Sequence, residues 1–130
     1  MMTAEQPRAP IGAIVHLDLT VPNAEEVRDF YAAVAGWRAE PLDMGGYSDF
    51  VMLAGDGTTP VAGICHARGE NAALPPQWIA YITVADLDAS LARCQAGGGA
   101  IVAGPKGEAP NRYCLIRDPA DAIVALMEQG

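Results

Sequence analysis

Ile14-Val15-His16-Leu17-Asp18-Leu19-Thr20-Val21 is the stretch that decides the fold. Val15, Leu17, Leu19 and Val21 alternate with His16, Asp18 and Thr20, the period of two that gives a β-strand one apolar and one polar face. At an offset of 63 residues, Leu19-Thr20-Val21 returns as Ile82-Thr83-Val84. At an offset of 62, Val61-Ala62-Gly63-Ile64-Cys65 returns as Ile123-Val124-Ala125-Leu126-Met127. Two separate matches at nearly one offset predict a duplicated structural unit.

Pro22-Asn23 ends the first strand, and Asn23 with Glu25-Glu26 behind it has the pattern of a helix start. Val27, Phe30, Tyr31 and Val34 keep helical spacing up to a stop at Gly36. Short strands are expected at 37–42, 47–54 and 61–67, with Asp56-Gly57 turning the hairpin between the last two. Residues 68–77, holding Gly69 and Pro75-Pro76, read as a linker. The order then restarts with the apolar strand Trp78–Val84, a helix capped by Asp86, and a glycine stop at Gly97-Gly98-Gly99. Extended segments follow at 100–103, 113–117 and 122–127, the last two joined by the turn Asp118–Asp121. The glycine triplet follows a helix and so reads as a cap and turn, not a phosphate cradle.

Length and composition agree with this layout. The chain has 130 residues, enough for one compact domain with its own core. Alanine supplies 24 of its hydrophobic residues, and 14 glycines with 10 prolines predict many turns. The net charge of −8 leaves no excess of Lys or Arg to meet phosphates, so nucleic-acid and anionic-membrane binding are not expected. No apolar run reaches the length that crosses a bilayer. Cys65, Cys94 and Cys114 are an odd set without metal-site spacing and read as free thiols of a cytoplasmic protein.

With these residues in hand, the sequence resembles the vicinal oxygen chelate superfamily, which holds glyoxalase I, bleomycin-resistance proteins, fosfomycin-resistance enzymes and extradiol dioxygenases. The resemblance is carried by His16 in the first strand, Phe30-Tyr31 followed by Gly36-Trp37, the segment 78–89, and Asp118-Pro119 before the last strand. It covers nearly the whole chain. It implies an α+β fold of two tandem βαβββ modules, residues 11–68 and 78–128 joined by 69–77, with curled mixed sheets around a cleft. It also implies a homodimer.

The family's metal site takes a ligand from the first and last strand of each module. By that resemblance the four positions here are His16, Ile79, Gly63 and Ala125. One of the four side chains carries a donor, whereas a divalent ion needs about three protein ligands. No metal and no other cofactor is therefore expected. His66 has the opposite strand parity to Gly63 and is expected to face away from it.

The candidate ligand-binding residues are His16, Asp18 and Thr20 on one strand face, and Ile79, Tyr81 and Thr83 at the matching positions of the second module. Tyr47 and Tyr113 join them as aromatics suited to a planar ligand. His16 is a candidate proton acceptor or ligand-orienting group, with Asp18 pairing to it or to Tyr81. The same groups also suit an internally satisfied polar network. Trp37 and Trp78 are expected in the core or at a dimer contact, and Cys65 and Cys114 as buried thiols. Arg112 and Arg117 are expected to pair with Asp118 or Asp121.

The expected function is binding of a hydrophobic or aromatic small molecule without a family-type metal. The alternative is a metal-dependent lyase, isomerase or dioxygenase-like enzyme. A third reading is a subunit that modulates a partner protein.

Overall fold

The computed structural model describes residues 9–109 and 111–129. Among them are eight strands, two α-helices and one short 3-10 turn. They run β1 (Ile14–Val21), α1 (Ala24–Ala35), β2 (Arg38–Asp43), β3 (Ser48–Leu53), β4 (Pro60–His66), then β5 (Trp78–Val84), α2 (Leu87–Ala96), β6 (Ala100–Lys106), β7 (Tyr113–Arg117) and β8 (Ile123–Glu128). The 3-10 turn, Gly69–Asn71, lies in the expected linker. The α+β class and the repeated βαβββ order are thus present as the sequence pattern requires.

The chain forms two compact units. The first runs from His16 to Ile79, and the second joins the N-terminal residues through Val15 to Ala80 and onward. β1 therefore begins in one unit and ends in the other, and so does β5.

The strand order is β2-β3-β4-β1 for the first half and β5-β8-β7-β6 for the second. In each half the first strand pairs parallel with the last, and the hairpin strands pair antiparallel. The registers repeat as well. Asp18 sits opposite Gly63 and Val21 opposite His66, while Tyr81 sits opposite Ala125 and Val84 opposite Glu128. The 63- and 62-residue offsets seen in the sequence are thus offsets of hydrogen-bonded neighbours.

One face of each sheet packs on its helix. In the first unit Leu19, Val21, Phe50, Met52 and Ile64 form the core, with Val27, Tyr31, Trp37 and Trp78 packed against it. The alternation in β1 produces this: odd positions Leu19 and Val21 turn to α1, and even positions Asp18 and Thr20 turn to the opposite face. In the second unit Leu87, Leu91, Cys114, Ile116 and Leu126 do the same work. Burial of one such Leu or Ile side chain contributes roughly 1.5–3 kcal/mol.

The helix ends follow local chemistry, with one exception. Asp86 accepts the Ala89 N–H at 3.0 Å, as a cap should. Gly36 closes α1 in the left-handed region at φ 72°. Asn23 precedes α1 but makes no capping bond; its Nδ2 donates instead to Glu26 at 2.8 Å. Of the glycines after α2, Gly99 is a steric necessity. A β-carbon on Gly99 would stand 2.7 Å from Cys94 Sγ and 2.8 Å from the Arg117 carbonyl oxygen.

Residues 10–13 belong to the second unit through Thr83. The Thr83 hydroxyl donates to the Pro10 carbonyl at 2.8 Å and accepts the Ala13 N–H at 3.2 Å. The backbone adds Gly12 N–H to the Thr83 carbonyl at 2.8 Å and Thr83 N–H to the Ala13 carbonyl at 2.9 Å.

Candidate functional site

Parallel pairing of β1 with β4 sets Asp18 beside Gly63 on the sheet face away from α1. His16, two residues along the same strand, stands on that face too. Its Nε2 lies 2.6 Å from Asp18 Oδ1. The His16 side chain is 41% exposed and that of Asp18 only 18%, so the carboxylate is the inner member and the imidazole the outer one. The hydrogen bond from Asp18 raises the proton affinity of His16, with the charge of Asp18 adding to it; partial burial opposes them. The expected pairing of Asp18 with His16 is thus present.

Gly63 makes this pair possible. A β-carbon there would collide with Asp18 Oδ1 and stand 3.7 Å from His16 Nε2. Residue 63 is therefore a neighbour of His16, and the space beside it is filled by the Asp18 carboxylate. Ile79 is 2% exposed and Ala125 is fully buried, and neither has a donor atom. Among the described residues no three His, Cys, Asp or Glu side chains gather as a metal-binding set. Of the side chains at these four positions, that of His16 carries a donor atom.

The other candidates are distributed as follows. Thr20 is 6% exposed on the same strand as His16. Tyr81, in the second unit, lies 5.9 Å from Tyr113 between ring centroids. The Thr83 hydroxyl is committed to residues 10–13. Tyr47 stands edge-on to His66 at 5.5 Å and beneath the Arg68 guanidinium at 3.7 Å. It belongs to a cluster around His66.

That cluster brings an imidazole and two carboxylates together. His66 Nδ1 lies 3.2 Å from Asp49 Oδ1, and Nε2 lies 3.1 and 3.0 Å from the two oxygens of Glu25. Cys65, next in the strand, is a free thiol pushed far above its ordinary value by burial and by the nearby carboxylates. The expected pairing of Arg112 is corrected. Its guanidinium binds Glu128 and Asp88, both brought to it by folding, instead of Asp118 or Asp121. The Asp118 carboxylate is engaged by its own turn, where it accepts the N–H groups of Ala120 and Ala122.

The helix-packed side of the first unit also carries a groove of about 370 Å³. Leu19 and Val21 form its floor, with Phe30 and Tyr31 from α1 and Trp78 at its end. Trp78 Nε1 donates to the Tyr31 hydroxyl at 3.3 Å, and Tyr31, Trp37 and Trp78 pack with centroids 5.4–5.8 Å apart. Trp37 and Trp78 are thus half-buried aromatics packed against the core of the first unit. The groove has no short sequence signal, because Pro76, Gln77 and Trp78 reach β1 and α1 only after the chain has folded.

Comparison with known proteins agrees with this architecture. The chain is 30% identical over 117 residues to the anthracycline biosynthesis protein DnrV of Streptomyces peucetius, covering 90% of this chain and 42% of that one. It is 29% identical over 117 residues to the putative glyoxylase CFP32 of Mycobacterium bovis, covering 86% and 44%. The chain thus spans less than half the length of the curated relatives it matches. Its fold is similar to methylmalonyl-CoA epimerase from Mycobacterium tuberculosis, with a TM-score of 0.53 at 20% identity over 92% of this chain and 88% of that one. It is likewise similar to the Streptomyces coelicolor epimerase solved in complex with 2-nitronate-propionyl-CoA, with a TM-score of 0.54 at 16% identity over 93% and 99%. A family model matches residues 13–125, nearly the whole of both repeats, and the chain belongs to the glyoxalase/bleomycin resistance protein/dioxygenase superfamily.

Proposed function

We propose that this chain is a small-molecule-binding member of the superfamily that holds a hydrophobic or aromatic ligand without a family-type metal. In this reading the modules are 11–68 and 78–128, joined by 69–77. His16 and Asp18 meet a polar group of the ligand, and Thr20, Tyr47, Ile79, Tyr81, Thr83 and Tyr113 are the further candidate ligand contacts. The observation that carries it is the His16–Asp18 pair, 2.6 Å apart, with Asp18 in the space that Gly63 leaves. An imidazole whose proton affinity is raised by a carboxylate is a good donor to a carbonyl, phenolate or carboxylate oxygen. The relative from Streptomyces peucetius, tied by its name to anthracycline biosynthesis, favours a ligand with fused aromatic rings.

Thermal-shift and calorimetric titration with a panel of planar aromatic compounds tests this. Binding to the wild type that is lost in both His16→Ala and Asp18→Ala is the expected result. Retention of affinity in both, with loss in Phe30→Ala, moves the ligand to the groove on the helix side and ends this assignment.

A second reading, a metal-dependent lyase, isomerase or dioxygenase-like enzyme, is favoured by the name of the Mycobacterium bovis relative. Metal analysis of protein purified without chelator separates the two, since a stoichiometric ion lost in His16→Ala belongs only to the second. We also read the chain as a cytoplasmic homodimer. The exposed Phe30 (56%) and Val34 (66%), one turn apart on α1, support an interface, and light scattering tests it.

A further inference from the structure

Both halves of the fold contain a three-residue ionic cluster at the same place. In the first it is Glu25 in the first turn of α1, Asp49 in β3, and His66 at the end of β4. In the second it is Asp88 in the first turn of α2, Arg112 just before β7, and Glu128 at the end of β8. The first two pairs are related by an offset of 63 and the third by 62, the offsets of the repeat itself. His66 pairs in register with Val21 as Glu128 does with Val84. Each cluster ties the start of a helix to the ends of two strands.

The two clusters differ in what holds them together. In the second, Arg112 donates to Glu128 at 3.0 and 3.2 Å and to Asp88 at 3.2 and 3.3 Å, and Glu128 also accepts the Leu87 N–H at 3.0 Å. A guanidinium keeps its proton at any working pH. In the first, both ring nitrogens of His66 face carboxylate oxygens. Both bonds need an N–H, and only the imidazolium has two. A neutral ring turns one lone pair toward a carboxylate.

The geometry also selects which contact fails. Asp49 is 7% exposed, and its Oδ1 is fixed a second time by the His66 backbone N–H at 2.9 Å. The Glu25 side chain is 59% exposed, and among the described contacts its tie to the strands is His66. Other charged and titratable groups around the ring do not replace it. Arg28, one turn along α1, is paired with Asp29 and lies over Phe50, and Arg68 lies over Tyr47. Tyr47 offers the imidazole its ring, and Cys65 on the same strand keeps its proton.

We infer that Glu25, His66 and Asp49 form a pH-operated latch, which holds the first turn of α1 to the sheet when His66 is protonated and releases it when His66 is neutral. The matching Arg112 cluster keeps α2 fixed across the range in which a histidine titrates. Asn23 and Val27 in the released turn line the groove of the first unit, so its wall loosens as pH rises. This inference does not depend on the ligand reading.

The chain has two histidines, so two imidazole resonances report on it, and His16→Gln identifies the His66 signal. NMR titration is expected to give His66 a midpoint above 6.5, and Glu25→Gln to lower it. The amides of Val27 and Ser90 occupy equivalent first-turn positions, bonded to the Asn23 and Asp86 carbonyls at 3.1 and 3.0 Å. Corrected for intrinsic exchange, protection of Val27 is expected to fall between pH 6 and 8.5, by about tenfold for each unit by which the midpoint exceeds 6.5. Ser90 is expected to keep its protection. A midpoint at or below 6.5, an unchanged midpoint in Glu25→Gln, or equal pH dependence at Val27 and Ser90 overturns the latch.

Discussion

The Oδ1 atom of Asp18 stands in the space that a β-carbon on residue 63 would fill. Gly63 on β4 thus leaves the room in which the Asp18 carboxylate meets the imidazole of His16, its neighbour on β1. Gly63→Ala is expected to push Asp18 aside and to cost about 1–3 kcal/mol, the usual range for overpacking at a tight site. Urea denaturation measures the cost. Unchanged stability together with an unchanged His16 titration would show that the strand face has room to spare.

Asp18→Asn is expected to lower the His16 titration midpoint toward its ordinary value, since the Asp18 hydrogen bond is the main cause of its elevation. The sign for stability follows. A histidine whose folded value is raised contributes stability that is complete below about 6.5, the unfolded value, and is lost as pH rises through the folded value. The wild type is therefore expected to lose stability as pH rises from 6 to 8.5, and Asp18→Asn to lose less of it. Denaturation midpoints at the two pH values check this.

Ile64 and Met52 are fully buried in the core of the first unit. Ile64→Ala or Met52→Ala is expected to cost about 2–5 kcal/mol, from lost transfer energy and the cavity left behind. Ile64→Val is expected to cost about 0.5–1.5 kcal/mol. Chemical denaturation of the three variants ranks them.

The two helix starts look alike in sequence and differ in bonding. Asp86 accepts the Ala89 N–H, whereas Asn23 bonds Glu26. Asp86→Ala is expected to cost about 1 kcal/mol. Asn23→Ala is expected to stay within about 0.5 kcal/mol of the wild type, as surface changes away from a cap do. Equal losses by thermal denaturation would place a capping bond at Asn23 in solution.

The fold was legible because its signals are local or periodic. The alternation in β1, the stops at Gly36 and Gly97, and the Asp118–Asp121 turn each follow from neighbours in sequence, and the 62- and 63-residue matches tie them into a repeat. The His16–Asp18 pair was legible for the same reason, being two residues apart on one strand face. The Glu25–Asp49–His66 cluster was not. Its members come from a helix, a hairpin strand and a strand end, and their meeting depends on the β3–β4 register. Asn23 gave the right boundary and the wrong bond, because a side chain at a helix start chooses between a backbone N–H and a nearby carboxylate. Arg112 found Asp88 and Glu128 in place of its sequence neighbours, since Asp118 was already consumed by its own turn.

The Thr83 hydroxyl, with Pro10 on one side and Ala13 on the other, makes the second unit discontinuous along the chain. A cut within residues 69–77 would therefore not yield two self-sufficient pieces. The fragment beginning at Trp78 would carry a buried threonine stripped of two side-chain and two backbone hydrogen bonds. The repeat is a unit of sequence, and the hydrogen bonds of residues 10–13 assign that segment to the second copy when a truncation is designed.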